Sequence, residues 1–142
     1  MAEFDLSRFV AAQAPVYAQA LAELRRGRKE SHWMWFVFPQ LRGLGHSPAA
    51  QFYAISSVDE ARHYVKHALL GPRLAQSVQA VLAWSGKRSA EQILGPVDAL
   101  KLRSSMTLFD LVEPGALFGE ALKGFYAGER DQRTLALLND ER

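Results

Sequence analysis

The chain has 142 residues, 49% of them apolar and 23% charged, the proportions of one ordinary globular domain rather than a disordered or fibrous chain. It contains no cysteine, which excludes disulfides, thiolate metal sites, iron–sulfur clusters and a cysteine nucleophile together. Seventeen Lys and Arg against fifteen Asp and Glu leave a net charge of +2, too small a surplus to demand a polyanionic partner.

No basic segment leads into an apolar run after Met1, so no secretory signal is read. The uncharged window Ser31–Leu41 spans eleven residues, against the ~20 that a membrane helix needs. The expectation is a cytoplasmic protein with no membrane contact.

The apolar residues recur with a helical period along nearly the whole chain. Asp5 suits the N-cap of a short first helix carrying Phe9 and Val10. Pro15 fits the first turn of a second helix, with Tyr17, Leu21 and Leu24 on one face. That helix runs out among Arg25, Arg26, Arg28 and Lys29 around Gly27, where cations complement the negative helix end. Trp33–Phe38 is ambiguous, since its aromatics suit a strand as well as a helix. Ser47-Pro48 opens a helix with Phe52, Tyr53 and Ile55. Ser57-Val58-Asp59-Glu60 reads as a capping box, the serine bonding forward and Glu60 back, for a helix through Tyr64 to about Leu69.

Gly71-Pro72 ends that helix and begins another, with Leu74, Val78, Val81 and Leu82 on one face. Ser89-Ala90-Glu91-Gln92 is a second capping box, for a short helix stopping at Gly95-Pro96. Asp98 reads as the cap of the longest helix, Ala99 to Glu113. Its Leu102, Met106 and Phe109 form one stripe, and Leu100, Leu108, Leu111 and Val112 widen the apolar surface, as in a central, buried helix. Pro114-Gly115 breaks it. Leu117, Phe118, Leu122 and Phe125 mark a following helix, and Thr134 to Leu138 a short last one. No segment shows the alternation and turn chemistry of a hairpin. The reading is one all-α domain over residues 1–142, with seven to nine mostly short helices.

Two stretches carry residues that chemistry could use. The first, Ser31 to Leu41, holds Trp33 and Trp35, whose flat rings can wall a pocket or stack on a base or sugar. It also holds His32, a candidate catalytic proton carrier near neutral pH, and Gln40. Core packing, with His32 and Gln40 satisfying backbone groups, is the alternative. The second is Lys101-Leu102-Arg103-Ser104-Ser105-Met106-Thr107. At about 100° per residue, Lys101, Ser104 and Ser105 lie along one side of the helix, Arg103 and Thr107 along another. Two cations and three hydroxyls in an otherwise apolar helix need partners if buried. Those partners are either the chain's own acids, such as Asp98, Asp110 or Glu113, or a ligand's phosphate or carboxylate.

Other groupings are weaker. Gly43-Leu44-Gly45 before a helix start can face an anion but has no preceding strand, so it is no dinucleotide or Walker fingerprint, and no cofactor is expected. His63 and His67 at i, i+4, with Glu60 a turn earlier, have a spacing that could hold a metal, yet a solvated helix face explains them and no metal site is assigned. Arg25–Lys29 near Trp33 and Trp35 could touch nucleic acid weakly, but a cationic helix end diluted by Glu30 is the plainer reading.

With these stretches in view, the sequence resembles the bacterial family called domain of unknown function 1810, whose members often carry the label calpastatin. The likeness rests on Arg8-Phe9-Val10, Gln13-Ala14-Pro15-Val16-Tyr17 and the run from Gly27 through Lys29-Glu30-Ser31-His32-Trp33-Met34-Trp35-Phe36 to Leu41. It continues through Gly43-Leu44-Gly45, Tyr53-Ala54-Ile55, Leu70-Gly71-Pro72-Arg73-Leu74 and the run Leu100 to Phe109. Many members have Ile-Phe-Gly where this chain has Ile93-Leu94-Gly95. The resemblance implies a compact multi-helical fold with buried central helices and brings no activity with it. The calpain inhibitors named calpastatin are long, repetitive and disordered, whereas this chain is aromatic, unrepeated and built to fold.

The function expected from the residues is binding, with processing as its extension, of an anionic small molecule such as a nucleotide-like metabolite. Lys101 and Arg103 would neutralise it, Ser104, Ser105 and Thr107 would donate to it, Trp33, Trp35 and Gln40 would line its pocket, and His32 would carry a proton. The rival expectations are a protein-interaction module with an exposed aromatic patch at Trp33–Phe38, and a weak nucleic-acid contact through Arg25–Lys29.

Overall fold

Local capping chemistry sets most helix starts in the computed structural model, which describes residues 4–140. Ten helices form among the described residues, seven of them seven residues or longer, and no strand. The first is α1 (Ser7–Gln13), whose leading N–H, that of Ser7, donates to Asp5 Oδ1 at 2.9 Å. α2 (Tyr17–Arg25) starts two residues after Pro15, so the proline sits in the preceding turn rather than in the helix. α2 closes at Gly27, which takes φ +72°, and a Cβ there would lie 2.6 Å from the Trp84 ring. Glycine answers both the left-handed backbone and the close approach.

The ambiguous aromatic run becomes the single turn α3 (Met34–Val37), and this tenth helix is what takes the number past the seven to nine expected. After it, Leu41 and Ile55 form an isolated parallel bridge through Ile55 N to Gln40 O and Arg42 N to Ile55 O, both 2.8 Å. Between them lies α4 (Pro48–Phe52), capped by the Ser47 hydroxyl accepting from Ala50 N. It stops short of Ile55, which the bridge claims.

Ser57 caps α5 (Val58–Lys66) as expected, but Glu60 does not reach back to it. Its carboxylate accepts from Ser56 N at 2.7 Å and from Arg8 at 3.3 Å. The Arg8 guanidinium also donates to the carbonyls of Phe52, Ala54 and Asp5, so it ties α1 to the chain on both sides of the bridge. α6 (Leu70–Leu82) begins before Gly71-Pro72, because the His67 ring accepts from Leu69 N and Leu70 N and caps it. α7 (Ala90–Leu94) carries the complete Ser89–Gln92 capping box.

α8 (Pro96–Val112) starts at the Gly95-Pro96 pair, with proline in its first turn. Asp98 is therefore inside the helix and not its cap. α9 (Leu117–Tyr126) and α10 (Gln132–Asp140) follow. α8 is the hub: it packs against α5, α7, α9 and α10, with Leu102, Met106, Leu108 and Phe109 all buried. α6 crosses α2, α5 and α9, and α1 lies on α3. One continuous apolar cluster joins them. No helix among the described residues is long and apolar enough to cross a membrane.

Candidate functional site

The aromatic stretch is mostly architecture. Trp33, Met34, Phe36, Val37 and Phe38 are all buried, so the expected exposed aromatic patch at Trp33–Phe38 is absent from the surface. Glu23, a carboxylate with no surface exposure, anchors Trp33. It accepts from Glu30 N at 2.8 Å, Ser31 N at 3.0 Å, the Ser31 hydroxyl at 2.6 Å, Trp33 Nε1 at 2.9 Å and the Gln19 amide at 3.1 Å. Burial pushes this carboxyl up, but the hydrogen bonds from Ser31, Glu30 and Trp33 outweigh it and bring the pKa down to about 2. Trp33 is thereby held in the core and cannot wall a pocket. His32, beside it, is exposed and does not line the cleft described below.

The far side of α8 is likewise spent on the fold. Arg103 donates to Glu129 O and Arg130 O, each at 3.0 Å, and pairs with the Glu129 carboxylate at 3.4 Å. Thr107, fully buried, donates to Arg103 O at 2.8 Å and accepts from Asp131 N at 2.9 Å. These two residues fasten the chain entering α10 and touch no cavity with the first stretch. Ser105 is also buried, and its hydroxyl has no partner. Trp33, Ser105 and Thr107 are buried and Arg103 is bonded to the 129–130 segment, so these four expected ligand contacts do not line the cleft described below.

The near side of α8 is different. Lys101, Ser104, Trp35 and Gln40 meet at a cleft of about 420 Å³, closed by the 44–47 loop, Ala50, Val97, Leu100, Asp131 and Arg133. Lys101 Nζ stands 5.3 Å from the centre of the Trp35 ring and 3.3 Å from Asp98. The same carboxylate pairs with Lys29 at 2.9 Å. Two ammonium groups therefore share one carboxylate, and one positive charge is left over. Among the described residues Arg133 donates only to Leu44 O, at 3.3 Å, and is exposed, as is His46. The Gln40 carboxamide makes no side-chain hydrogen bond among the described residues, while its backbone is fixed by the bridge to Ile55. Ser104 donates to Asp131 at 3.0 Å and lies 3.2 Å from Leu100 O.

His46, Asp131 and Arg133 were not among the sequence candidates, and no local motif marks them. Asp131 and Arg133 reach the cleft because α10 packs on α8, and His46 reaches it from the loop before α4. The remaining groupings disperse. His63 Nδ1 faces Asp59 O, His67 caps α6 and Glu60 turns to Arg8, and no set of three ligand-type side chains converges among the described residues. Ser47 takes the Ala50 N–H at the start of α4, and Gly45 of the turn before it lines the cleft. Arg25, Arg26 and Arg28 are exposed, and Arg88 joins them by donating to Gly27 O at 3.0 Å.

These features define an all-helical domain with a small cleft of mixed apolar and charged lining between its central helix, the loop before α4 and the start of α10. Residues 3–138 match the family described as protein of unknown function (DUF1810), and the chain belongs to that family. No curated protein matches the sequence. Among solved structures it is similar to the crystal structure of the conserved hypothetical protein Rv1873 from Mycobacterium tuberculosis. The two are 55% identical, the match covers 96% of this chain and 97% of that one, and the TM-score is 0.92.

Proposed function

We propose that the cleft between α8, the 44–47 loop and α10 binds an anionic small molecule, a nucleotide-like metabolite being one such class. The observation that carries this reading is the sharing of Asp98 by Lys29 and Lys101. A lone ion pair at a surface is nearly neutral and gains little from a second anion. Two cations on one carboxylate instead leave Lys101 short of negative charge, at the mouth of a cavity it helps line. Arg133 supplies a second cation there, with a planar fork suited to phosphate or carboxylate. Trp35, Val97 and Leu100 add apolar wall, which lowers the local dielectric and strengthens the attraction.

Calorimetric titration with inorganic phosphate and with methyl phosphate tests the reading. Lys101→Ala and Arg133→Ala each weaken binding about tenfold, equivalent to about 1.4 kcal/mol, while Lys123→Ala on α9, away from the cleft, leaves it unchanged. Binding that survives the double variant at full strength overturns the reading.

A second reading, a nucleic-acid contact, is supported by Arg88 and Lys87 extending the exposed Arg25, Arg26 and Arg28 cluster. Its affinity for a duplex falls steeply with salt, since phosphate contacts release counterions. A flat salt response removes it.

A further inference from the structure

We infer that the ligand of this cleft carries hydroxyl groups beside its phosphate, as a sugar or polyol phosphate does; this rests on the anion-binding reading above. The reason is Asp131, a carboxylate placed among cations, where its charge weakens the hold on a bare phosphate. Its position is over-determined. Oδ2 accepts from Ser104 Oγ at 3.0 Å, from Thr134 N at 3.0 Å and from the Thr134 hydroxyl. Its own N–H donates to Thr107, and Arg103 grips the two carbonyls just before it.

The three bonds to the Asp131 carboxylate all fall on Oδ2. Oδ1 has no hydrogen-bond partner among the described residues, no Lys or Arg among them pairs with Asp131, and the residue lines the cleft. An ionised carboxylate only accepts hydrogen bonds. Oδ1 is left open to the cleft, where a donor on the ligand replaces water, and a hydroxyl does so without adding charge. Gln40, with a free carboxamide at the same cleft, can both donate to and accept from further hydroxyls. Lys101 and Arg133 then take the phosphate, and Asp131 and Gln40 take the hydroxylated part. The two halves of the cleft thus match the two halves of a hydroxylated phosphate monoester.

The test compares glucose 6-phosphate and glycerol 3-phosphate with methyl phosphate, which has the same charged group and no hydroxyl. The wild-type protein binds at least one of the first two fivefold or more tighter than methyl phosphate. Asp131→Asn keeps an oxygen for the Thr134 N–H, asparagine being as good an N-cap as aspartate, and replaces the free acceptor by an amide donor. In that variant the preference falls to less than twofold and methyl phosphate binds more tightly, because a negative charge has left the cleft. Equal binding of all three esters by the wild type overturns this inference and leaves the anion-binding reading standing. A preference that survives in Asp131→Asn overturns it too. Failure of every ester to bind overturns both.

Discussion

Replacing Glu23 by alanine removes, at one stroke, the acceptor of five donors that wrap the 30–33 segment around α2. The Ser31 and Glu30 groups lie near the surface and recover water, but Trp33 Nε1 is left buried and unpaired. Hydrogen bonds to a charged group contribute about 1.5–3 kcal/mol each, and an orphaned buried donor costs about 1–3 kcal/mol. Taking the low end of each range for two lost charged bonds and the orphaned indole, Glu23→Ala costs at least about 4 kcal/mol, a large share of the ~5–15 kcal/mol of a whole domain. Glu23→Gln keeps the oxygen that serves Glu30, Ser31 N and Trp33, and loses the charge. The pKa of about 2 sets its cost, since each unit is about 1.4 kcal/mol; allowing solvent screening on the Ser31 side, the loss is about 2–3 kcal/mol.

The sign follows from linkage. The folded pKa lies below the unfolded value of about 4.3, so this stability is fully present above roughly pH 5 and is lost as pH falls toward about 2. Urea unfolding at pH 7 and pH 3 reads both effects. At pH 3 the wild type keeps about half of its advantage over Glu23→Gln, and the two converge only as the pH falls below about 2. A glutamine variant within about 0.5 kcal/mol of wild type at pH 7, with a parallel pH dependence, would refute the assignment of Glu23 as the anchor.

Three further outcomes follow from the same structure. Arg103→Ala lowers the melting temperature by several degrees without any ligand, since two carbonyls of the 129–130 segment lose their donor, whereas Lys101→Ala shifts it little; equal shifts in calorimetry would contradict the division of α8 into a structural and a ligand side. Ser105→Ala is neutral or stabilising by up to about 1 kcal/mol in urea unfolding, because it deletes a buried hydroxyl without a partner; a loss above about 1 kcal/mol would mean that the hydroxyl is satisfied. Gly71→Ala brings a methyl onto the Val65 carbonyl and costs about 3 kcal/mol, the upper end of overpacking; a soluble variant with an unchanged melting temperature would show that α5 and α6 are not packed this closely.

What could be read from residues alone was what is decided within a turn or two. Ser47, Ser57 and Ser89 each cap the helix expected of them, because a cap needs only a donor three residues on. The sorting of Lys101 and Ser104 to one side of α8, and Arg103 and Thr107 to another, also came from helical spacing. Where tertiary contacts compete, the local rule failed. Asp98 has a capping residue's identity, yet Gly95-Pro96 starts the helix earlier and frees Asp98 for Lys29 and Lys101. Glu60 has a capping-box spacing, yet Arg8 draws it away from Ser57. Glu23 gave no signal, since an acid within a helix is ordinarily solvated and its donors come from the loop that follows. Half of the cleft escaped for the same reason. Asp131 and Arg133 belong to a segment whose place beside α8 is set by Arg103 and Thr107, and no periodicity encodes that contact.

The central claim is tested most directly by the three tryptophan indole N–H signals in a nitrogen–proton spectrum during titration with inorganic phosphate. Trp33 and Trp84 serve as internal controls, their N–H groups donating to Glu23 and to Leu24 O inside the fold. Trp35 lines the cleft beside Lys101. Its signal, assigned with Trp35→Phe, moves to saturation while the other two stay, and it ceases to move in Lys101→Ala. Three stationary signals, or three that drift together, would contradict the account.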